Sequence, residues 1–324
     1  MSEIPPMPDG GRVADAADNN WVDRYAPAAT RPYLRLSRAD RPAGTWLLLL
    51  PCWWGLTLAI MNDPAGPSIF DLWIFAGCGI GAFLMRGAGC TWNDITDRNF
   101  DKRVKRTKSR PIPSGAVAVR QALVWMVIQA LAAAFILFTF NWFTVVLGIA
   151  SLGLMCVYPF AKRFTWWPQA FLGLAFNWGA LLAWAAHHGS LSVAPGLLYL
   201  AGICWTLFYD TIYAHQDSED DALIGVKSTA RLFGHNTPRV LLFFRIAAIF
   251  FLIGACLVAP AQLVKEPVRL FVALAAVWAF GGHLGWQIRK LDINDGLVCM
   301  LLFRSNRDAG LILVAGWWLA IFAF

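Results

Sequence analysis

The stretch "DLWIFAGCGIGAFLMRGAGCTWNDITDRNFDKRVKRTKSRPIPSG", residues 71 to 115, decides the fold. Between Leu72 and Trp92 the one charged side chain is Arg86, and the run is long enough to cross a hydrocarbon core of about 30 Å as a helix. Asn93, Asp94, Asp97 and Asp101 then follow, and after them Lys102, Arg103, Lys105, Arg106, Lys108 and Arg110. A greasy helix that ends in crowded acids and then crowded bases needs a reason for both.

The whole chain shares the character of that run. Of 324 residues, 58% are hydrophobic, 14% aromatic and only 15% charged, too little polar surface to coat a soluble globule. Apolar stretches near membrane-spanning length lie at 44–61, 69–92, 117–139, 143–160, 168–186, 196–213, 240–260, 267–287 and 308–324. Lipid requires backbone groups to be satisfied within a segment, so the chain reads as an all-α polytopic membrane protein, a bundle of nine transmembrane helices. Cys52, Cys78, Cys90, Cys156, Cys204, Cys256 and Cys299 are scattered through apolar segments without a C-x-x-C pair, which excludes a zinc module or a disulfide frame.

The formal charge of +7 is not a nucleic-acid signature here, because its distribution follows a membrane rule. With the N-terminus inside, the loops at 93–116, 161–167, 214–239 and 288–307 collect nearly all the loop Lys and Arg, while outside loops hold Lys265 with Arg269 nearby. The N-terminus is therefore expected in the cytoplasm. Residues 1–30 contain Glu3, Asp9, Asp15, Asp18 and Asp23 and no apolar core, so they read as a mobile cytoplasmic tail rather than a signal or transit peptide, with 31–324 as one transmembrane domain. A bacterial plasma membrane fits that reading better than a mitochondrial inner membrane. In "RPYLRLSRADRPAG", residues 31–44, Tyr33, Leu34 and Leu36 alternate with Arg31, Arg35, Arg38 and Arg41, as in a short helix at the headgroup level or a plain basic linker.

Asn93, Asp97 and Asp101 are spaced i, i+4, i+8, with Asp94 three before Asp97, so a continuing helix gathers the four on one face. The geometry recurs where the sixth apolar stretch ends. In "YDTIYAHQDSEDDALIGVKSTARLFG", Asp210, Tyr213, Asp217 and Asp221 fall at i, i+3, i+7, i+11. One such cluster is ordinarily a solvated loop. Two on the same side, each followed by bases, point to a shared ligand.

Carboxylates this dense repel one another unless a cation holds them, and hard oxygens favour Mg²⁺ bridging to phosphate. Lys105, Arg106, Lys108 and Arg110 after the first cluster, and Lys227 after the second, are placed to neutralise a diphosphate. Arg86, two turns deeper than Asn93 on the same face, either pairs with the carboxylates or anchors an anionic substrate group. Arg163 faces the same compartment and is either a topological charge or a substrate ligand. His187 and His188 fall at the far side and receive no catalytic role, whereas His215 is a hydrogen-bonding neighbour of the second cluster. Asn177 and Gln169 line a cavity or bond adjacent helices.

A diphosphate head with a lipid-soluble tail is a polyprenyl diphosphate, whose allylic C–O bond ionises when metal neutralises the leaving group and a dry cavity shields the cation. An ion carrier is the rival of another class, but carriers keep their acids near the bilayer midplane.

"NDITDRNFD" resembles the N-D-x-x-D-x-x-x-D motif of the UbiA family of intramembrane aromatic prenyltransferases, and "DSEDDALIGVKSTA" its second motif. The likeness runs from "YLRLSRADRPAGTWLLLLPCWWGL" to the last helix, and "RGAGCTWNDITDRNFD" and "KRTKSRPIPSG" are similar to the branch of ubiquinone biosynthesis that prenylates 4-hydroxybenzoate. The resemblance implies nine helices around a central cavity open laterally to lipid. It further implies that Asp97, Asp101, Asp217 and Asp221, with Asn93 and Asp94, bind Mg²⁺ and diphosphate, and that Arg98 and Arg163 serve substrate. The implied reaction joins C1 of the prenyl chain to the ring carbon ortho to the phenol, with Asp217 or Asp221 beside the phenol and Arg86 or Arg163 on the carboxylate. A different acceptor, such as a dihydroxynaphthoate or homogentisate, is the alternative within the class.

Overall fold

The computed structural model describes residues 16, 19–103, 107–217, 225–258 and 266–322. Among these residues the chain is all-helical. It forms two compact units, Met1–Thr45 with Gly81–Phe135, and Trp46–Ile80 with Ile136–Phe324.

The first unit opens with two short helices, α1 (Trp21–Tyr25) and α2 (Arg31–Leu36). The Asn20 side chain caps α1 by accepting from the Asp23 amide, and Trp21 Nε1 donates 3.0 Å to the Ala39 carbonyl. Val22, Ala26 and Ala39 form a small apolar cluster within and beside these helices. The rest of the unit comes from the C-terminal part of α4 (Ile69–Asp101) and from α5 (Val119–Leu137). Leu36, Ile95, Ile112, Val117 and Ala122 pack together there. Ser37 and Gln129, both buried, are bonded at 3.0 Å, and Trp125 Nε1 donates 2.8 Å to the Ser37 hydroxyl.

The second unit contains most of α3 (Ala43–Asn62), the start of α4, and α6 (Trp142–Phe164), α7 (Pro168–His188) and α8 (Val193–Ala214). A 3₁₀ turn at His215–Asp217 and the short α9 (Thr229–Phe233) lead to α10 (Thr237–Val258), α11 (Pro267–Lys290) and α12 (Gly296–Phe322). Helix α8 is the hub, packed on α7, α10 and α12. Its buried Trp205 lies against Trp54 and Phe280 and donates 2.9 Å to Asn306 Oδ1. Gly55 lets α3 approach α7 closely, since a Cβ there would strike the Ala180 carbonyl.

Among the described residues eight helices are long and apolar enough to cross a membrane, making this a multi-pass membrane protein. The final helix departs from its expected limits. Residues 288–307 read as a loop because Arg304, Asn306, Arg307 and Asp308 break the hydropathy, yet α12 already begins at Gly296. The reason is that its polar side chains find partners: buried Asn306 donates 2.9 Å to Gln287 Oε1 on α11, and Arg307 Nε donates 2.8 Å to Asp308 Oδ1. Asn177 and Gln169 bond adjacent elements, Asn177 Nδ2 donating 2.8 Å to Thr206 Oγ1 and Gln169 Oε1 accepting from the Thr229 amide at 3.2 Å.

His187 closes the far end of α7, roughly 27 Å along the helix from Gln169 at 1.5 Å per residue. Its Nδ1 lies 2.6 Å from Asp71 Oδ1 and its Nε2 3.1 Å from Asp63 Oδ2, so one ring ties α7 to the α3–α4 connection. Asp71 is buried, and removing the ring strips it of this partner. His187→Ala is expected to cost about 1–3 kcal/mol of stability, read as a lower Tm, with turnover per folded molecule unchanged.

Candidate active site

The acid motif at residues 93–101 is helical to its end: α4 runs through Asp101, so the loop expected from residue 93 starts at Lys102. Continuation of the helix gives the i, i+4, i+8 spacing its meaning. Asp94, Asp97 and Asp101 are buried, at 0%, 1% and 7% exposure, while Asn93 is half-buried and Arg98 points to the exposed side. Arg98 Nη1 returns 2.9 Å to the Ile95 carbonyl, and Lys108 is exposed.

Two arginines clasp the acids. Arg38 Nη2 donates 2.5 Å to Asp94 Oδ1, and Arg110 Nη1 donates 3.3 Å to the same oxygen and 3.0 Å to Asp101 Oδ2. The Thr107 hydroxyl donates 2.9 Å to the Asp101 carbonyl, holding the residue three before Arg110 at the helix end. Burial alone would lower the Arg38 pKa, but the adjacent Asp94 carboxylate raises it above its ordinary value, so the guanidinium stays charged. Burial pushes the neighbouring Asp40 carboxyl up to about 6 against the pull of Arg38. Its contribution to stability is therefore full below about 4 and is lost as pH rises through about 6.

Arg38 is the residue that sequence reasoning left among headgroup-level bases. It sits at φ +57°, where the amide of Ala39 bonds the Leu34 carbonyl at 3.0 Å and its own amide the Arg35 carbonyl at 3.1 Å. That pattern is the helix-ending turn which glycine usually occupies. A bulky side chain is strained there, and the burial of its guanidinium against Asp94 is what the strain secures. A basic residue in the usual glycine position after α2 was the one available signal. Arg35 is buried in the same way, Nη2 donating 2.8 Å to Asp23. Arg86 is half-buried, its guanidinium across Gly44, where a Cβ would come 2.5 Å from Nη2.

The second unit carries the other cluster. Asp210 and Tyr213 lie on the last turns of α8, with the Tyr213 ring 4.5 Å from that of Phe303. Asp217 is half-buried on the 3₁₀ turn, so the helical face runs only through Tyr213 before the backbone tightens. Asp221, with Asp220, lies outside the described residues. His215 is held at 3.0 Å from Thr237 Oγ1, which makes it a structural neighbour of the cluster.

Around this end the structure gathers cations. The Thr211 and Thr229 hydroxyls bond at 2.7 Å, joining α8 to α9, and the Ser228 side chain caps α9. This places Lys227 against the end of α6: its amide bonds the Lys162 carbonyl at 3.4 Å and Nζ the Phe164 carbonyl at 3.4 Å. Lys227 and Arg231 both lie over the Trp166 ring, at 5.9 and 5.4 Å from its centroid, and exposed Arg163 lies 5.0 Å from that of Phe160.

The first cluster fits a hard divalent cation. Asp94 Oδ2 is fully buried and has no hydrogen-bond partner, an oxygen left to a ligand without hydrogens. Among the described residues no three acid, histidine or cysteine side chains close a cage of their own. One or two carboxylates completed by water and phosphate oxygens is the arrangement Mg²⁺ adopts.

The model of the UbiA prenyltransferase family matches residues 48–307. The chain is 46% identical over 311 residues to the mitochondrial 4-hydroxybenzoate polyprenyltransferase of Arabidopsis thaliana, covering 95% of this chain and 72% of that protein. It is 48% identical over 297 residues to the protein of the same name from Rattus norvegicus, covering 91% and 76%. Among solved structures it resembles a UbiA homolog from Archaeoglobus fulgidus bound to GPP and Mg²⁺, with TM-score 0.66, 17% identity and coverage of 90% and 99%. The apo UbiA homolog of Aeropyrum pernix K1 is similar at TM-score 0.64 and 22% identity, covering 84% and 96%. With the family motif carried on buried carboxylates and the match spanning most of its length, the chain belongs to the UbiA prenyltransferase family.

Proposed function

We propose that this chain transfers a polyprenyl group from polyprenyl diphosphate to the ring carbon ortho to the hydroxyl of 4-hydroxybenzoate, releasing diphosphate, in ubiquinone biosynthesis. The observation that carries the reading is the buried carboxylate face of α4, with one oxygen lacking a donor, in a chain 46–48% identical to relatives of that name.

Asn93, Asp94, Asp97 and Asp101 would hold Mg²⁺ on the first motif, and Asp217 with Asp221 on the second. When bound, Mg²⁺ neutralises the charge that develops on the departing diphosphate. Lys108, Lys227 and Arg98 bind phosphate oxygens electrostatically. We assign Arg110 first to the carboxylates it already clasps, as the charge that lets them lie so close. The allylic C1–O bond breaks and diphosphate keeps the electron pair. The ring carbon ortho to the phenol then attacks C1, and its proton leaves to restore aromaticity. Asp217 or Asp221, accepting the phenol hydrogen bond, enriches the ring, and Tyr213 borders the same end of α8. Arg86 or Arg163 holds the benzoate carboxylate.

The test is an assay of purified protein with Mg²⁺, radiolabelled polyprenyl diphosphate and a panel of aromatic acceptors. Product confined to another acceptor would replace the 4-hydroxybenzoate assignment. Arg163→Ala is expected to raise KM for 4-hydroxybenzoate or lower turnover by about 10- to 100-fold, the worth of a charged hydrogen bond. Unchanged kinetics with a short prenyl diphosphate would reduce Arg163 to a topological charge.

In this reading the chain lies in a bacterial plasma membrane, and the charge distribution supports both motifs facing the cytoplasm. The two relatives named above are mitochondrial, which makes a mitochondrial inner membrane the rival placement. Fractionation of the source cells, with cysteine labelling of the 107–115 segment, distinguishes them.

A further inference from the structure

A cleft of roughly 460 Å³ opens between α10 and α11, and no residue of either acid motif lines it. Arg239, Arg245 and Arg289 line it, with Leu242, Gly282 and Gly285. No carboxylate is among its lining residues, and among the described residues none of the three arginines forms an ion pair. Three like charges facing one space are costly without an anion between them.

The helix register explains why they converge. Arg239, Leu242 and Arg245 recur every three residues on α10, forming one stripe. On α11, glycine clears the facing surface: a Cβ at Gly282 would meet nothing, and one at Gly285 would come 2.9 Å from the Arg245 Cζ. Arg245 therefore lies across the α11 backbone, Nε donating 2.8 Å to the Gly281 carbonyl. That bond occupies one of its nitrogens and orients the guanidinium fork beside the cleft.

Depth identifies the ligand. Arg239 stands in the first turn of α10 and Arg289 in the last turn of α11, so both are at a helix end. Arg245 is about 12 Å further along α10, counted from Thr237. Beside the stripe, Phe243 and Ile246 are 65% and 58% exposed, a surface suited to hydrocarbon. A basic pocket between two spanning helices at headgroup level, continuing into an apolar flank, matches an anion that carries its own acyl chains. The absence of acids in the lining removes the carboxylates that Mg²⁺-diphosphate would need.

We propose that this cleft binds an anionic glycerophospholipid, its phosphate between Arg239, Arg245 and Arg289 and an acyl chain along the exposed side of α10. Helix α10 follows the Asp217 turn and α9 in the chain and packs on α8, so the bound lipid braces the helix beside the second motif.

The full chain, purified in detergent and stripped of lipid, is titrated with dioleoyl phosphatidylglycerol, dioleoyl phosphatidylcholine, inorganic phosphate or Mg²⁺-free geranyl diphosphate. Retention is read by native mass spectrometry and protection by Tm. Phosphatidylglycerol should bind and raise Tm, and phosphatidylcholine should do neither. R239Q/R289Q, which changes two exposed side chains, should weaken phosphatidylglycerol about tenfold or more. R245K, which keeps the charge but loses the fork, should weaken it less. Asp97→Asn should bind it as the unaltered chain does, separating this site from catalysis. Equal binding of the two lipids, or undiminished retention by R239Q/R289Q, overturns the proposal. Equal protection by inorganic phosphate, or displacement of the lipid by geranyl diphosphate, overturns it in favour of a free phosphate or the prenyl substrate.

Discussion

Asp97→Asn is expected to lower prenyl transfer by about 10³-fold or more while leaving helicity and membrane extraction unchanged. Asparagine preserves the size of a side chain that is 1% exposed, so packing survives, but it removes the charge a divalent cation requires. Metal stabilisation of a leaving diphosphate is worth several kcal/mol, and each 1.36 kcal/mol is a factor of ten in rate. The measurement is diphosphate release by the purified variant across a Mg²⁺ titration. Partial recovery at high Mg²⁺ identifies a weakened metal site, whereas a flat, low response identifies a positional role. Asp217→Asn should behave alike on the second motif. Undiminished prenylation by both variants would sink the proposed mechanism.

Arg38→Gly is expected to destabilise the protein although glycine is the better residue for that backbone. Relief of the left-handed conformation at φ +57° is worth about 1–2 kcal/mol. Against this, breaking a buried ion pair from one side costs about 3–5 kcal/mol, and the longer 3.3 Å contact from Arg110 Nη1 to Asp94 Oδ1 offsets only part of it. The second effect wins, and Tm in detergent should fall. In the double variant with Asp94→Asn the carboxylate that has lost its closer partner is gone, and Arg110 keeps its 3.0 Å bond to Asp101. That variant should regain at least half of the loss in a double-mutant cycle. If Arg38→Gly leaves Tm unchanged or higher, the clasp on Asp94 contributes nothing to stability.

These two residues mark where sequence reasoning worked and where it stopped. Asp97 was legible because helical spacing is a local property: hydropathy carried the helix to Trp92, and the i, i+4, i+8 pattern carried it on to Asp101. Arg38 was not, since its partner lies 56 positions away and four arginines share its stretch with equal claims. The start of α12 was hidden for a related reason. Hydropathy charges Arg304, Asn306 and Asp308 against a helix, but Gln287 and Trp205, from other elements, satisfy Asn306. His187 was placed by topology at the end away from the motifs, yet its bonds to Asp63 and Asp71 required three distant segments to meet.

By itself the sequence determined an all-helical membrane chain, the carboxylate face at the end of α4 and the family likeness carried by that motif. Those follow from backbone satisfaction in lipid and from the helical repeat, which act between near neighbours. Only the tertiary structure decided which arginine clasps Asp94, that Arg110 returns to Asp101, that Lys227 rests at the end of α6, and that three arginines share a cleft between α10 and α11. The partner of a buried charge is chosen by which distant segment can exclude water from it, and that choice is made when helices pack.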